Sequence, residues 1–103
     1  MKNYKLDRQN NPVETTMMDA MNWREKNPNR CRVGWTSIGE HIDVSTVFLP
    51  LDHSWNGGPP VLWETMVFGL EDEICERYTS YADAVAGHAR IVTEISKRHQ
   101  GSV

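Results

Sequence analysis

The chain has 103 residues, a net charge of −3 and 39% hydrophobic residues, which suits a single domain over residues 1–103 with one core. No apolar run approaches the ~20 residues that cross a bilayer, and the first residues lack the apolar part of a signal peptide, so we expect a cytoplasmic protein that does not contact a membrane. Cys31 and Cys75 belong to no CxxC or Cys–His cluster, so we expect two buried free thiols and neither a bound metal nor a cofactor, with a disulfide or a metal role as the alternatives.

The charges are unevenly distributed along the sequence. Residues 40–83 contain nine acids and one base, Arg77, whereas residues 24–32 contain four bases and one acid, Glu25. An acidic surface argues against direct binding of nucleic acid and favours a partner protein with a basic surface. The alternative is that these acids only keep the sheet edge and the turns soluble.

The first helix is predicted after a polar arm. Residues 1–12 contain an Asn-Asn-Pro turn signal and predict an extended arm with a turn. Thr16 is followed three residues later by a carboxylate, as in a capping box, so a helix is expected from there to about Lys26. Met17 and Met21 lie one helical turn apart, and such a stripe is typical of a helix face that packs into the core.

Three strands are predicted next. Residues 30–37 alternate between polar and apolar, which predicts a strand with its apolar side chains, Trp35 among them, facing inward. Residues 42–51 and 61–70 are rich in β-branched and aromatic residues and predict a hairpin. The loop that joins them, residues 52–60, contains two Gly and two Pro and is longer than a tight hairpin needs.

A fourth strand and a second helix complete the chain. Residues 74–78 predict a short strand at a sheet edge, after an acidic turn. The last helix is expected to be capped by Ser80 or by the residue before it, and its apolar positions follow clear helical spacing. Residues 97–103 are expected to fray.

Two residues inside this helix carry specific predictions. Gly87 weakens a helix by about 1 kcal/mol, so its presence indicates a close approach of the helix to the sheet. His88 lies on the apolar stripe. We expect a satisfied core histidine, bonded to Glu64 or Tyr78, rather than a ligand.

Together these elements predict an α+β domain, in which a four-stranded antiparallel β-meander carries an N-terminal and a C-terminal helix in the order α-β-β-β-β-α. One layer of helices covers one face of a sheet. The opposite face, with residues such as Trp63 and Val67, is expected to stay partly exposed. An exposed apolar face is an interaction surface, and a homodimer is one use of it.

Several segments of the chain carry a resemblance to other proteins: VSTVFL (44–49), LDH (51–53), GGPPVL (57–62) and ETMVFG (64–69), with YKLD (4–7), RYTS (77–80) and Gly87-His88. Through them, much of the chain resembles a group of small uncharacterised proteins of bacteriophages and prophage-bearing bacteria. The resemblance implies a short phage-borne cytosolic protein, and it transfers no catalytic residue because the group has no assigned activity. This chain differs in having Pro50 where a small residue is expected.

Asp52, His53 and Glu64 are the candidate catalytic residues. A carboxylate that orients an imidazole near a second carboxylate could perform acid–base chemistry or hold a metal, as in a small hydrolase. The sequence contains no HExxH motif and no phosphate-binding Gly loop followed by a helix. The structural alternative is that Asp52 caps the turn, His53 bonds a backbone carbonyl, and Glu64 pairs with Arg77 or contacts a neighbouring chain.

The leading functional hypothesis is a non-enzymatic binding protein that covers a basic surface of a host protein. Acidic side chains can occupy phosphate positions in a nuclease groove, and a phage-borne protein could in this way inhibit a bacterial defence system, as anti-CRISPR proteins do. A small enzyme and a structural homodimer are the alternatives. The candidate partner-binding residues are Trp55, Asn56, Glu71, Asp72, Glu73 and Glu76.

Overall fold

A computed structural model of the chain describes residues 2–52 and 58–101. Two antiparallel sheets are present, a two-stranded hairpin and a four-stranded meander in the order β3-β4-β5-β6. The α+β class and the four-stranded antiparallel sheet with a C-terminal helix are confirmed, but the chain has an additional hairpin and an additional short helix. The elements are β1 (Asn3–Leu6), β2 (Pro12–Thr15), α1 (Met17–Lys26), α2 (Pro28–Cys31), β3 (Arg32–Ile38), β4 (Ile42–Phe48), β5 (Trp63–Phe68), β6 (Ile74–Tyr78) and α3 (Tyr81–Gly101).

The N-terminal arm, for which an extended conformation with a turn was predicted, is a hairpin of β1 and β2. One carboxylate oxygen of Asp7 accepts hydrogen bonds from the backbone N–H groups of Gln9 and Asn11, each at 2.9 Å. Asn10 has φ +64°, a conformation that Asn tolerates better than most residues. This turn reverses the chain, and β1 also reaches the main body because Tyr4 N donates to Pro50 O at 2.8 Å.

The prediction for α1 is confirmed at both ends but not for its methionines. Thr16 Oγ1 accepts a hydrogen bond from the backbone N–H of Asp19 at 3.1 Å, which is an N-cap, and the helix ends at Lys26. Among its residues Ala20 is buried. Met17 and Met21 are exposed rather than packed in the core.

The helix α3 begins where the sequence predicted and continues further. Ser80 Oγ accepts a hydrogen bond from Asp83 N at 3.1 Å. The helix runs to Gly101, through most of the segment that was predicted to fray. Its buried side chains Ala84, Ile91 and Ile95 face the sheet. Within the described ranges, no helix is long and apolar enough to cross a membrane.

A β-bulge decides which side chains of β3 face the helix. Arg32 and Gly34 pair with two adjacent residues of β4, so Val33 between them is an extra residue with no partner opposite it in that strand. One extra residue reverses the alternation of side chains beyond it. Trp35 therefore lies on the face away from α3, where it is 49% exposed, and the prediction that it faces inward was wrong.

The core lies between α3 and one face of the main sheet. Trp63 and Val67 are buried on that covered face, which corrects the prediction that they lie on the open one. Cys31 is partly buried and Cys75 is exposed; both are free thiols, so burial was predicted wrongly for Cys75. The buried residues form two clusters: Leu6, Phe48, Leu62, Trp63, Tyr78 and Ala84; and Ile38, Val44, Val67, Ile91 and Ile95.

Candidate functional site

Two of the three candidate catalytic residues hold structural contacts. Asp52 Oδ1 accepts a hydrogen bond from the backbone N–H of Val61 at 3.0 Å, across the loop that joins β4 to β5. Glu64 Oε2 lies 2.9 Å from Arg77 Nε, where the register of β5 and β6 places the two residues opposite each other. His53 lies outside the described residues. In residues 2–52 and 58–101, no three His, Cys, Asp or Glu side chains come together as a metal site would require.

The predicted binding residues lie in three places. Trp55 and Asn56 are outside the described residues. Glu71, Asp72 and Glu73 are exposed in the turn between β5 and β6. Glu76 instead forms an ion pair with Arg90 of α3, and it lies on the helix side of the sheet. Of the predicted binding residues that the structure describes, the three turn acids are thus the ones that face solvent without an ion-pair partner.

The acidic turn is part of a larger negative surface, which we call the acidic end and define as Glu40, Asp43, Glu71, Asp72 and Glu73. In an antiparallel meander the first and third turns lie at the same end of the sheet. The two turns touch, since a Cβ atom on Gly69 would lie 1.8 Å from the His41 carbonyl oxygen. Gly69 has φ +94°, so only glycine fits this contact without strain.

An aromatic pair lies on the open face of the sheet, close to the acidic end. The rings of Trp35 and Phe68 stack with their centroids 6.5 Å apart and an angle of 20° between their planes. Phe68 is 47% exposed and comes directly before the turn that contains the acids. Ser45 pairs with Trp35 in the register and is nearly buried, which indicates that the larger side chains lean over it. Met66, also exposed, extends this apolar patch.

Sequence reasoning missed the aromatic pair because it placed the wrong residues on the open face. It set Trp35 inward and treated Trp63 as the exposed aromatic. The signal that could have identified it is Gly34, since a glycine inside a strand is typical of a bulge. A Cβ atom on Gly34 would lie 2.9 Å from His88 Nε2, so this position needs glycine for the packing of α3 as well.

His88 of α3 belongs to a chain of buried and partly buried polar side chains. His88 Nδ1 lies 2.7 Å from Thr46 Oγ1 and its Nε2 lies 2.9 Å from Thr36 Oγ1. Thr46 Oγ1 is 2.5 Å from Thr65 Oγ1, which accepts a hydrogen bond from the Tyr78 hydroxyl at 2.9 Å. His88 is thus a satisfied core histidine as predicted, but its direct partners are threonines rather than Glu64 or Tyr78.

A neutral His88 fits this chain of hydrogen bonds. Because the Tyr78 hydroxyl donates a hydrogen bond to Thr65, the Thr65 hydroxyl can donate to Thr46. The Thr46 hydroxyl can then donate to Nδ1 of His88. A neutral His88 that carries its proton on Nε2 then donates the last hydrogen bond of this chain, to Thr36. Burial lowers the pKa of His88 below its ordinary value, which agrees with a neutral ring in this position.

No protein-family model matches the sequence, and searches of curated proteins and of solved structures found no match.

Proposed function

We propose that the chain is a non-enzymatic binding protein that covers a basic surface of a partner protein with its acidic end and the adjacent aromatic pair, Trp35 and Phe68. The observation that carries this proposal is the contiguity of the two features. The open strand face supplies exposed aromatic area, and the turn after Phe68 supplies three exposed carboxylates.

The charges of the acidic end favour a cationic partner. Among the described residues, Glu71, Asp72 and Glu73 have no ion-pair partner, and Glu40 has only the neighbouring His41 at 3.9 Å. Uncompensated charges of one sign raise the rate of encounter with a surface of opposite sign and select against partners of like sign. Nucleic acid is disfavoured as a direct partner for the same reason.

The aromatic pair supplies the apolar part of the interface. Aromatic side chains dominate the energetics of protein interfaces, where they lie at the centre and polar groups form the rim. Trp35 and Phe68 are each about half exposed, so a partner that covered them would remove further apolar area from water. The acidic end would then form part of the rim.

We further propose, from the resemblance to phage proteins, that the partner is a host protein of a bacterial defence system. A nuclease with a cationic groove is a suitable target, because carboxylates can occupy the positions of nucleic-acid phosphates. Inhibition in the manner of an anti-CRISPR protein would follow from simple occupation of that groove.

The test compares matched charge reversals. One variant carries Glu71→Lys and Glu73→Lys at the acidic end, and its control carries Glu14→Lys and Glu94→Lys, which are exposed acids on β2 and α3. Wild type and both variants serve as bait in a bacterial lysate, and each captured protein is purified for calorimetry. The proposal expects a basic partner that the control retains and the acidic-end variant loses. A partner held equally by both variants would refute it.

The same proteins test the defence hypothesis in cells. Wild type and control, but not the acidic-end variant, should restore plaque formation of a phage on cells that carry an active CRISPR system. Equal plaque counts with and without the chain, across the systems tested, would remove the anti-CRISPR part of the proposal and leave the binding part to the calorimetry.

A homodimer through the open face is the second candidate, and the exposure of Trp35, Met66 and Phe68 is the observation that favours it. Burial of this patch against a second copy would be disrupted by Phe68→Asp. Sedimentation velocity over a wide concentration range should then give a dimer for wild type and a monomer for the variant. A wild-type monomer throughout would reject this candidate.

A further inference from the structure

A groove runs along the exposed side of α1, away from the acidic end. Its first part is a cavity of about 350 Å³ between the helix and residues 49–51. A second cavity, of about 270 Å³, continues past Arg24 to Arg32 at the start of β3. Arg24 and Leu49 line both cavities, so the two adjoin, and together we call them the α1 groove.

The walls of the groove are held by the fold. Trp23, on α1, packs edge-on against Phe48 with 5.7 Å between ring centroids, which anchors the helix. The opposite wall is fixed by backbone hydrogen bonds, from Leu49 N to Leu62 O at 2.6 Å and from Tyr4 N to Pro50 O at 2.8 Å. A site with fixed walls loses little entropy when it binds a ligand.

The lining of the groove is mainly apolar and adaptable. Met17 and Met21 of α1 face it from one side, and Pro50 and Leu51 from the other. Met21 is 57% exposed. Methionine is flexible and polarisable, and proteins that bind varied apolar segments use it at their binding surfaces.

The charged groups of these two cavities are arginines, whereas an adjoining cavity beside Met21 and Arg24 is also lined by Glu25. Arg24 and Arg32 are the charged residues that line them, and neither has a carboxylate partner among the described residues. Arg32 instead lies over the Trp35 ring, 5.4 Å from its centroid. An unpaired guanidinium beside an apolar channel is matched by a carboxylate, which it can bind through two hydrogen bonds.

We propose that the α1 groove binds a short peptide segment of a partner protein that presents apolar side chains and at least one Asp or Glu. The length of α1, ten residues, corresponds to about 15 Å, which fits about ten residues of a helix or about five of an extended segment. Apolar side chains of the segment occupy the Met-lined part, and its carboxylate pairs with Arg24.

This inference is independent of the function proposed above. The acidic end lies at the far ends of β3 and β4 from Arg32, roughly 20 Å away along the strands. The two surfaces adjoin where Arg32 lies over the Trp35 ring, so the test substitutions are placed at Met21 and Arg24, which do not make that contact.

The test uses a library of random peptides displayed on a surface and panned against the biotinylated full chain. Enriched peptides are synthesised with a fluorescent label and titrated by fluorescence anisotropy. The test variants are Met21→Ser and Arg24→Glu. Their matched controls are Met18→Ser, on the same helix and 71% exposed but outside the groove, and Arg98→Glu, an exposed arginine of α3. Circular dichroism and thermal unfolding of each variant show whether the fold is retained.

The proposal expects enriched peptides that share apolar residues and a carboxylate. Their affinity should fall about tenfold or more with each test variant and stay unchanged with each control. Replacing the peptide carboxylate by its amide should weaken binding to wild type but not to Arg24→Glu.

Several outcomes would overturn the proposal. These are the absence of enriched peptides, enriched peptides without a carboxylate, and equal affinity for wild type and the folded test variants. If wild type binds phosphatidylglycerol vesicles, and Met21→Ser and Arg24→Glu abolish that binding, the groove would be assigned to a membrane surface instead. Self-association lost in the same variants would assign it to a second copy of the chain.

Discussion

The replacement of Gly87 by Ala tests how closely α3 approaches the sheet. A Cβ atom at this position would lie 2.3 Å from the Tyr78 hydroxyl oxygen and 2.4 Å from its Cε1 atom, far inside normal contact distance. Tyr78 is buried and its hydroxyl donates to Thr65. The ring therefore cannot move aside without losing that hydrogen bond.

Two opposing effects set the size of the change. Ala is favoured over Gly inside a helix by about 1 kcal/mol. Overpacking a filled interface costs about 1–3 kcal/mol, and loss of the bond from Tyr78 to Thr65 adds about 1 kcal/mol. The free energy of unfolding should therefore fall by about 1–3 kcal/mol, and each kcal/mol lowers the thermal midpoint by roughly 4–8 °C in a domain of this size.

Urea unfolding followed by tryptophan fluorescence and by circular dichroism measures this change. The control is Ala89→Gly, an exposed position on the same helix, which should cost about 1 kcal/mol from helix propensity alone. A Gly87→Ala variant at least as stable as wild type would refute the close approach, because propensity would then outweigh packing.

Three further predictions concern the buried chain and the thiols. Thr46→Val removes the partner of both His88 and Thr65, and it should lower the free energy of unfolding by about 1–3 kcal/mol in urea titrations; an unchanged midpoint would contradict the hydrogen bonds. Because burial lowers the pKa of His88 below 6.5, the unfolded chain binds the proton more tightly, so stability should fall as pH drops through 6.5 and level off below the folded pKa. Thermal unfolding across this pH range should show the loss of stability in wild type and not in His88→Gln. An identical loss in the variant would assign it to another group. Cys75 should react with a thiol reagent faster than Cys31, since it is the exposed one; equal rates would argue against the burial of Cys31.

The main sheet could be predicted from the sequence because its strands are long enough to carry a clear pattern. β4 and β5 are rich in β-branched and aromatic residues, which favour a pleated and partly buried surface. The helix starts were equally clear, since Thr16 and Ser80 are both N-caps whose side chains accept a backbone hydrogen bond. These signals are local, so one sequence suffices to read them.

The faces of the sheet could not be predicted, because they depend on register. The alternation in β3 predicted Trp35 inward, and a single bulge beside Gly34 reversed it. For β5 neither face is polar in sequence, so the pattern gave no way to choose between Trp63 and Met66. The choice is made by α3, whose buried residues need an apolar surface opposite them.

The contacts at the candidate site were partly predictable. The alternative pairing of Glu64 with Arg77 is the one observed, because the short turn between β5 and β6 places the two residues opposite each other. The threonine partners of His88 come from β3 and β4, more than forty positions away along the chain, so no local pattern indicates them. The close approach at Gly87 was predicted, but the ring that it contacts was not.

The direction of the strands separates the two proposed surfaces. β3 begins at Arg32, beside the α1 groove, and ends next to the turn that contains Glu40. Since the turn after β5 lies at the same end as the turn after β3, acids from distant parts of the sequence gather there. The bases of residues 24–32 stay at the opposite end because α1 and α2 come directly before β3. The uneven charge along the sequence thus becomes an uneven charge along the sheet, and the chain can hold a basic surface at one end and an acidic segment at the other.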